Sequence, residues 1–536
     1  MRRHARVIGR ERVGVGELQG VLKAGDNLPH VFPTVVHMLA DAAARAPESI
    51  ALVSGERRLS YAQYLHCVAG FARELIEHGA RGSRVALVCG NSLDMPIATF
   101  ASHAAGAQAT PINPAYTSRE ITHILTDAAP AAIVYDAEAA AAVEPLIALL
   151  GIPYSVRLGP ADRTLDWWKD DAAQSLPELP QPDSLATLQY TGGTTGLPKG
   201  VNLTHRQSAL NISQREAALP TCADDERILC MMPLFHVFAV AMCLHLSVYC
   251  RGRLVIMPRY SPQGVLDLIA KERITRLPAG PTVFIGLLGH ESLPATDMTS
   301  LRTAYSGAAA LPEETLRRWQ ERVGSPILEG YGQSEAGPVL AYMREGERQK
   351  PGSVGPALPL TEIEIVDVAT GTKVLSAGEL GEIRARGPQI MSGYRNKPRE
   401  TAEALRDGWL YTGDIGELDA DGYLYIRDRK KDMVIVGGYN VYPREVEEIL
   451  FAHADVKEAA CAGVPDSYYG ETVRAFVVLK PNAQCNAADL IAYCKNNLVH
   501  YKTPSRIFIV EALPRTTVGK IDRIQLRNEL ARRTAE

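Results

Sequence analysis

The segment YTGGTTGLPKG at 190–200 concentrates groups that bind phosphate. Thr191, Thr194 and Thr195 supply hydroxyl donors. Gly192, Gly193 and Gly196 let backbone N–H groups wrap around phosphate oxygens, and Lys199 adds a mobile point charge. A Gly-rich hairpin turn has no need of these threonines and a lysine together. Nor is this a Walker A loop: Pro198 precedes the lysine, and Gly200 follows it where Ser or Thr would coordinate magnesium. Three further positions could carry chemistry. Tyr331, between Gly330 and Gly332, sets an aromatic face where backbones approach closely. Asp414 ends a YTGD segment and Lys520 lies in a Gly-Lys pair. On their own, that aspartate reads as a turn residue and that lysine as a surface side chain.

Positioning such groups takes a framework, and the pattern along the chain supplies one. Apolar runs at Arg84, Ala132 and Leu254 read as buried parallel strands. The Ala- and Leu-rich segments 96–105 and 137–150 read as helices, so the fold class is α/β with helices covering parallel sheets. From about Thr361 the strands alternate apolar and polar residues (362–367, 382–386, 423–426), the signature of a sheet with one wet face. The charged run 427–432 then precedes a smaller α+β unit, with a strand from Met433 and Pro443 opening a helix that carries Val446, Ile449 and Leu450 on one face. The expected division is an arm at 1–30, a large domain at 31–428 that is β-rich from about 361, a hinge at 429–432 and a mobile small domain at 433–536.

Composition narrows the functional classes. Of 536 residues, 46% are hydrophobic and 22% charged, which excludes wholesale disorder and coiled coil. The net charge of -4 offers no basic excess for nucleic acid. Nine cysteines, odd in number and without a CxxC pair, disfavour a disulfide framework or zinc ribbon and suggest a reducing, cytoplasmic setting. The Arg-rich N-terminus lacks the apolar stretch of a secretory signal, and Glu11 and Glu17 weigh against a transit peptide. Between Arg227 and Arg251 no charged residue occurs, but Pro233, His236, His245 and Ser247 interrupt the run. It reads as a buried strand, a loop and a core helix rather than a membrane span, with at most weak peripheral membrane contact and a monomer or homodimer expected.

YTGGTTGLPKG resembles the phosphate loop of the adenylate-forming superfamily of acyl-CoA synthetases, luciferases and peptide-synthetase adenylation domains. GYGQSEAGP from Gly330, YTGD from Tyr411, DRKKDMVIVGGYNVYPREVE from Asp428 and PRTTVGK from Pro514 fit that family in order, and PESIALVSGERRLSYAQY extends the likeness toward the N-terminus. The resemblance implies a large adenylate-forming domain with a mobile lid, and ATP, Mg2+ and CoA as reactants and cofactor. It implies that Tyr331 stacks on adenine opposite Gly307, Ala308 and Ala309, within a nucleotide site that includes Gly332, Ile426 and the phosphate loop. Ser334 would donate to phosphate and Glu335 would hold magnesium, a hard cation suited to one carboxylate plus phosphate oxygens. Asp414 would accept from the ribose hydroxyls, with Arg429 beside it. Lys520 would be the catalytic lysine, Lys431 the hinge, and Gly437, Gly438 and Tyr439 the CoA-tunnel segment. Two departures stand out: Ser334 replaces the usual Thr while keeping the hydroxyl, and Gly192 stands where Ser is common, removing one phosphate donor.

The same resemblance points to MPLFHVFA at 232–239 as a border of the acyl site, with His236 as a catalytic candidate. The expected acyl pocket comprises His236, Val237, Phe238, Phe284, Gly330, Ala336, Gly337 and Val339, apolar or small throughout. Without an acidic residue for an ammonium group, an amino-acid substrate is disfavoured and a hydrophobic monocarboxylate remains. Medium-to-long aliphatic acids are favoured. Aryl acids and loading of a carrier-protein thiol are the alternatives.

Overall fold

A computed structural model describes residues 28–191, 198–516 and 520–533. Most of the expected N-terminal arm, and Gly192, Gly193, Thr194, Thr195 and Gly196 of the phosphate loop, lie outside the described residues. Two large sheets contribute side chains to one hydrophobic core. In the first, Gln108–Ile112, Arg84–Val88, Ala132–Asp136 and Tyr154–Leu158 run parallel, and the hairpin Leu185–Thr191/Lys199–Thr204 extends one edge, capped by Gly393–Tyr394. In the second, Ile327–Gly332, Thr303–Ser306, Arg276–Ala279, Arg227–Cys230, Arg253–Ile256 and Ile50–Ser54 lie side by side in parallel. Near-continuous Val, Ile, Leu and Ala suit strands covered on both faces.

The uncharged run after Arg227 folds as strand Arg227–Cys230, a loop, and one continuous helical stretch from Val237 to Tyr249 whose middle, Val240–His245, is a π-helix. Among the described residues no helix is long and apolar enough to cross a membrane. A third, antiparallel sheet holds Glu362–Val366, Gly381–Arg386, Trp409–Leu418 and Leu424–Arg429. The wet-faced alternation from 361 is therefore a real sheet.

After a turn at 430–432 comes a fourth sheet built on the long pair Val456–Asp466/Gly470–Leu479. Helix Pro443–Ala452 covers it, buries Val446 and Leu450, and starts with proline, whose missing N–H costs nothing in a first turn. Asp432, at the end of that turn, faces Arg527 (3.5 Å) and Arg523 (3.9 Å), tying the junction to the C-terminal helix Arg523–Arg532.

One assignment needs correction. Phe284 does not reach an acyl pocket. It is fully buried in helix Pro281–Leu288 and meets Trp319 edge-on, with ring centroids 5.1 Å apart, inside the core beneath the second sheet. Phe284→Ala is accordingly expected to destabilise the large domain by about 3–5 kcal/mol, read as a lowered unfolding midpoint, without altering the chain-length preference of the folded enzyme. A changed preference would return Phe284 to the pocket.

Candidate functional site

Strands Leu185–Thr191 and Lys199–Thr204 pair in antiparallel register with Thr191 opposite Lys199, so the two ends of the phosphate-loop segment are pinned together. Strand Gly393–Tyr394 pairs alongside. It sets the Tyr394 ring 4.2 Å from the Lys199 amine, a cation–π contact, while the Tyr394 hydroxyl donates to Glu335 at 2.8 Å. One tyrosine thus links the loop lysine to the acid. Sequence reading passed it over because it lies 59 positions beyond Glu335 and no local pattern marks it.

Glu335 occupies a short 3-10 turn, Ser334–Ala336, that follows strand Ile327–Gly332. The bend between them needs glycine: a Cβ at Gly332 would fall 1.9 Å from the Pro338 carbonyl oxygen. Glu335 is 9% exposed, and among the described residues it has no Lys or Arg ion-pair partner. One oxygen is held by Tyr394, which leaves the other free for a cation.

Tyr331, just before that bend, donates its hydroxyl to Asp414 at 2.5 Å. Antiparallel register puts Arg429 directly opposite Asp414, with Nε 3.6 Å from the carboxylate. Burial raises the Asp414 carboxyl above its ordinary value, against the pull of Arg429 and Tyr331. Ile426, on the same strand as Arg429, packs in the cluster that Tyr331 joins. Across from Tyr331's strand, Gly307 lies against the Phe238 ring, where a Cβ would meet the ring at 2.5 Å. Ala308 adopts a left-handed φ of 68°, and Ala309 is exposed.

Lys520 reaches this group from the small domain. Burial, and then the Arg429 cation, lower its amine to about 8, while Asp414 pulls the other way. His236 is brought down to about 3 by burial and by Lys520, so its imidazole is neutral. Its Nδ1 accepts from the Phe238 N–H at 3.2 Å, fixing the ring at the start of the helical stretch. Lys431 is also lowered by burial, with Asp432 and Asp414 opposing.

Beside this constellation lies a small, predominantly apolar cavity of about 30 Å³. Val237, Gly337 and Pro338 line it next to His236 and Glu335, and Leu87, Ala109 and Ile212 form part of its walls. Of the expected acyl-pocket residues, Val237 and Gly337 line it. Gly330 leaves no free volume: the Tyr342 ring fills the place of its Cβ, 2.0 Å away. Ala336 is buried with Val201 and Leu340, and Val339 is a core residue whose backbone pairs with Asn211. Lining residues that sequence reading missed include Ser208, Asn211, Arg215 and His245.

The structure does not bring Gly437, Gly438 or Tyr439 to this cluster. The two glycines form the turn of hairpin Val434–Val436/Tyr439–Val441 with φ of 57° and 87°, and exposed Tyr439 stacks on Tyr501 at 4.7 Å.

Comparison with known proteins agrees with this arrangement. The AMP-binding enzyme family profile matches residues 39–395, and the AMP-binding enzyme C-terminal domain matches 445–520. The chain is 36% identical to a long-chain-fatty-acid–CoA ligase of Bacillus subtilis (strain 168), over 94% of this chain and 96% of the relative. It is 33% identical to the enzyme of the same name from Salmonella typhimurium, over 94% and 95%. An anthranilate CoA ligase, AuaEII, solved with anthranoyl-AMP, superposes with a TM-score of 0.88 at 27% identity, covering 95% of this chain and 99% of that one. The chain belongs to the AMP-binding enzyme family and is an AMP-forming acid–thiol ligase.

Proposed function

We propose that this ligase activates a hydrophobic carboxylic acid, with medium-to-long aliphatic acids favoured, in two half-reactions. A carboxylate oxygen attacks the α-phosphorus of ATP and pyrophosphate leaves. The CoA thiolate then attacks the acyl carbon and AMP leaves with the electron pair of the anhydride bond. The observation that carries this reading is the meeting of Lys520, Asp414, Arg429 and Tyr331 beside an apolar cavity.

In this reading Thr191, Lys199 and the loop between them hold the phosphates. Tyr331 and Gly307–Ala309 enclose adenine, and Asp414 and Arg429 hold the ribose. Asp414 is already a hydrogen-bond acceptor in a buried setting, where a bond to ribose gains strength from the low local dielectric. The lone, buried Glu335 carboxylate fits a hard dication, which when bound neutralises phosphate charge. Neutral His236 borders the acyl carboxylate without adding charge. Lys520 faces the charge that builds as the carboxylate attacks, and such stabilisation dominates phosphoryl-type transfer. Lys431 serves as the hinge: once pyrophosphate has left, rotation there withdraws Lys520 and swings Gly437, Gly438 and Tyr439 inward for CoA. Hinges of this kind sit at element ends, as residues 430–432 do.

The test is pyrophosphate release across hexanoate to palmitate, benzoate and coumarate. Preference for the aliphatic series is expected, and release with none of them defeats the proposal. Turnover that is indifferent to CoA would favour a carrier-protein thiol.

A pH dependence follows from Lys520. Its cation is the useful form, and with the amine lowered to about 8 that form is lost as pH rises through 8. kcat/KM for adenylation, which reports the free enzyme, is expected to fall above that point, and Lys520→Arg to remove the fall. A profile flat from about pH 7 to about pH 10 would contradict this.

A further inference from the structure

The cavity is not apolar throughout. Helix His205–Ala218 is almost wholly buried between the hairpin Leu185–Thr191/Lys199–Thr204 and strand Val339–Tyr342, and it presents Ser208, Asn211 and Arg215 to the cavity. Arg215 is 1% exposed. Among the described residues its Nε, Nη1 and Nη2 all lack a hydrogen-bond acceptor. Among the described residues its one ion-pair neighbour is Glu216, whose Oε2 stands 3.5 Å away and itself receives no hydrogen bond. The other Glu216 oxygen is taken up by the Thr221 N–H and hydroxyl, at 2.7 and 2.6 Å.

His245 lines the cavity as well, is 6% exposed, and has an unpaired Nε2. Burial lowers it to about 3, so it is neutral. His236 caps the start of this helical stretch beside Lys520, and His245 lies nine residues further along it. Val237, Val240, Ala241 and His245 share the cavity-facing side, across the π-helical turns. Such turns concentrate at functional sites.

The guanidinium is already out of water with nothing to accept its protons, and an alkyl tail filling this space leaves that cost in place. A tail bearing an acceptor there relieves it. The charge of that acceptor can be argued too. Arg215 and Glu216 together are neutral, and so is His245, so a second carboxylate would enter as an uncompensated buried charge. A carbonyl oxygen can accept from two guanidinium N–H groups and adds none.

Resting on the acid-activating reading above, we infer that the natural substrate is an oxo-acid: an apolar acyl group carrying a ketone oxygen far from its carboxylate, held by Arg215 with His245 beside it. The substrate discrimination then comes from leaving Arg215 unpaired with a plain acid, the kind of penalty that separates substrates most strongly.

The experiment compares pyrophosphate release by the full-length enzyme with three acids of one chain length: the plain alkanoic acid, the same acid with a ketone next to its terminal methyl, and the α,ω-dicarboxylic acid. The oxo-acid is expected to lead the plain acid in kcat/KM by about 10²-fold or more. Arg215→Met, of similar length, is expected to cut that ratio at least about tenfold by losing the oxo-acid. Because both substrates are measured on one sample, the ratio is insensitive to a partly folded preparation. A plain acid that equals or beats the oxo-acid in the unmutated enzyme overturns the inference and leaves the synthetase reading standing. So does a lead for the dicarboxylic acid, or a ratio unmoved in R215M. Release with none of the three, nor with the wider acid series, brings down the acid-activating reading and the inference with it.

Discussion

Lys520→Ala is expected to slow acyl-adenylate formation by about 10²–10³-fold, the usual cost of removing one donor aimed at developing charge. Thioester formation from supplied acyl-AMP and CoA should change little. The asymmetry follows from where the lysine sits. It belongs to the small domain but lies near Asp414, Arg429 and His236, where burial and then the Arg429 cation lower its amine to about 8 against the pull of Asp414. The glycine hairpin at 437–438 is exposed in the same conformation, away from the nucleotide cluster. On the proposed reading, this arrangement serves adenylation and thiol transfer requires another. Pyrophosphate release and single-turnover thioester assays check the two steps separately. Equal loss in both would contradict the two-conformation account.

Glu335→Gln is expected to cost adenylation a similar factor of about 10²–10³ and to move the Mg2+ requirement to higher concentration. The glutamine keeps the shape and can still accept from the Tyr394 hydroxyl, now 2.8 Å from the carboxylate, but it has no charge for a dication. Tyr394→Phe separates orientation from charge. It leaves the carboxylate and removes its anchor, so metal affinity should fall by about 10–100-fold, the range for partners that orient a metal ligand. Titrating Mn2+ by electron paramagnetic resonance against the three proteins reads affinity without turnover. An unchanged midpoint in E335Q would place the metal elsewhere.

Much of the nucleotide side is legible from residue order because its donors are neighbours in the chain. The Thr191–Lys199 segment, Gly330–Glu335, Tyr411–Asp414 and Asp428–Lys431 each carry several functional groups within a few positions. Backbone geometry then brings them close with little help, as when sheet register sets Arg429 across from Asp414. Tyr394 had no such local marker. Its role exists only because a two-residue strand pairs beside Lys199 and turns one ring toward both the lysine and the acid.

The acyl side was harder to read for the same reason turned around. Phe284 is apolar and sits on a short helix, so its type permits either a cavity or a core, and only the contact with Trp319 decides. Helix His205–Ala218 is rich in Gln, Ser, Asn, Arg and Glu, a composition that reads as a solvent-facing helix, yet packing buries nearly all of it. Arg215 is thereby turned from an ordinary surface cation into an unpaired charge inside a pocket.

By itself, then, the order of residues determined the α/β layering and the family of acid-activating ligases, and it nominated the phosphate loop, the acid and the lysine proposed to carry the chemistry. Those rest on hydrophobic period and on groups contiguous in the chain. Tertiary structure alone decided which side chains line the apolar cavity, that Tyr394 touches both Lys199 and Glu335, and that an unpaired guanidinium stands in the cavity wall. Burial and pairing depend on segments many residues apart, and no local pattern encodes what will pack against a given face.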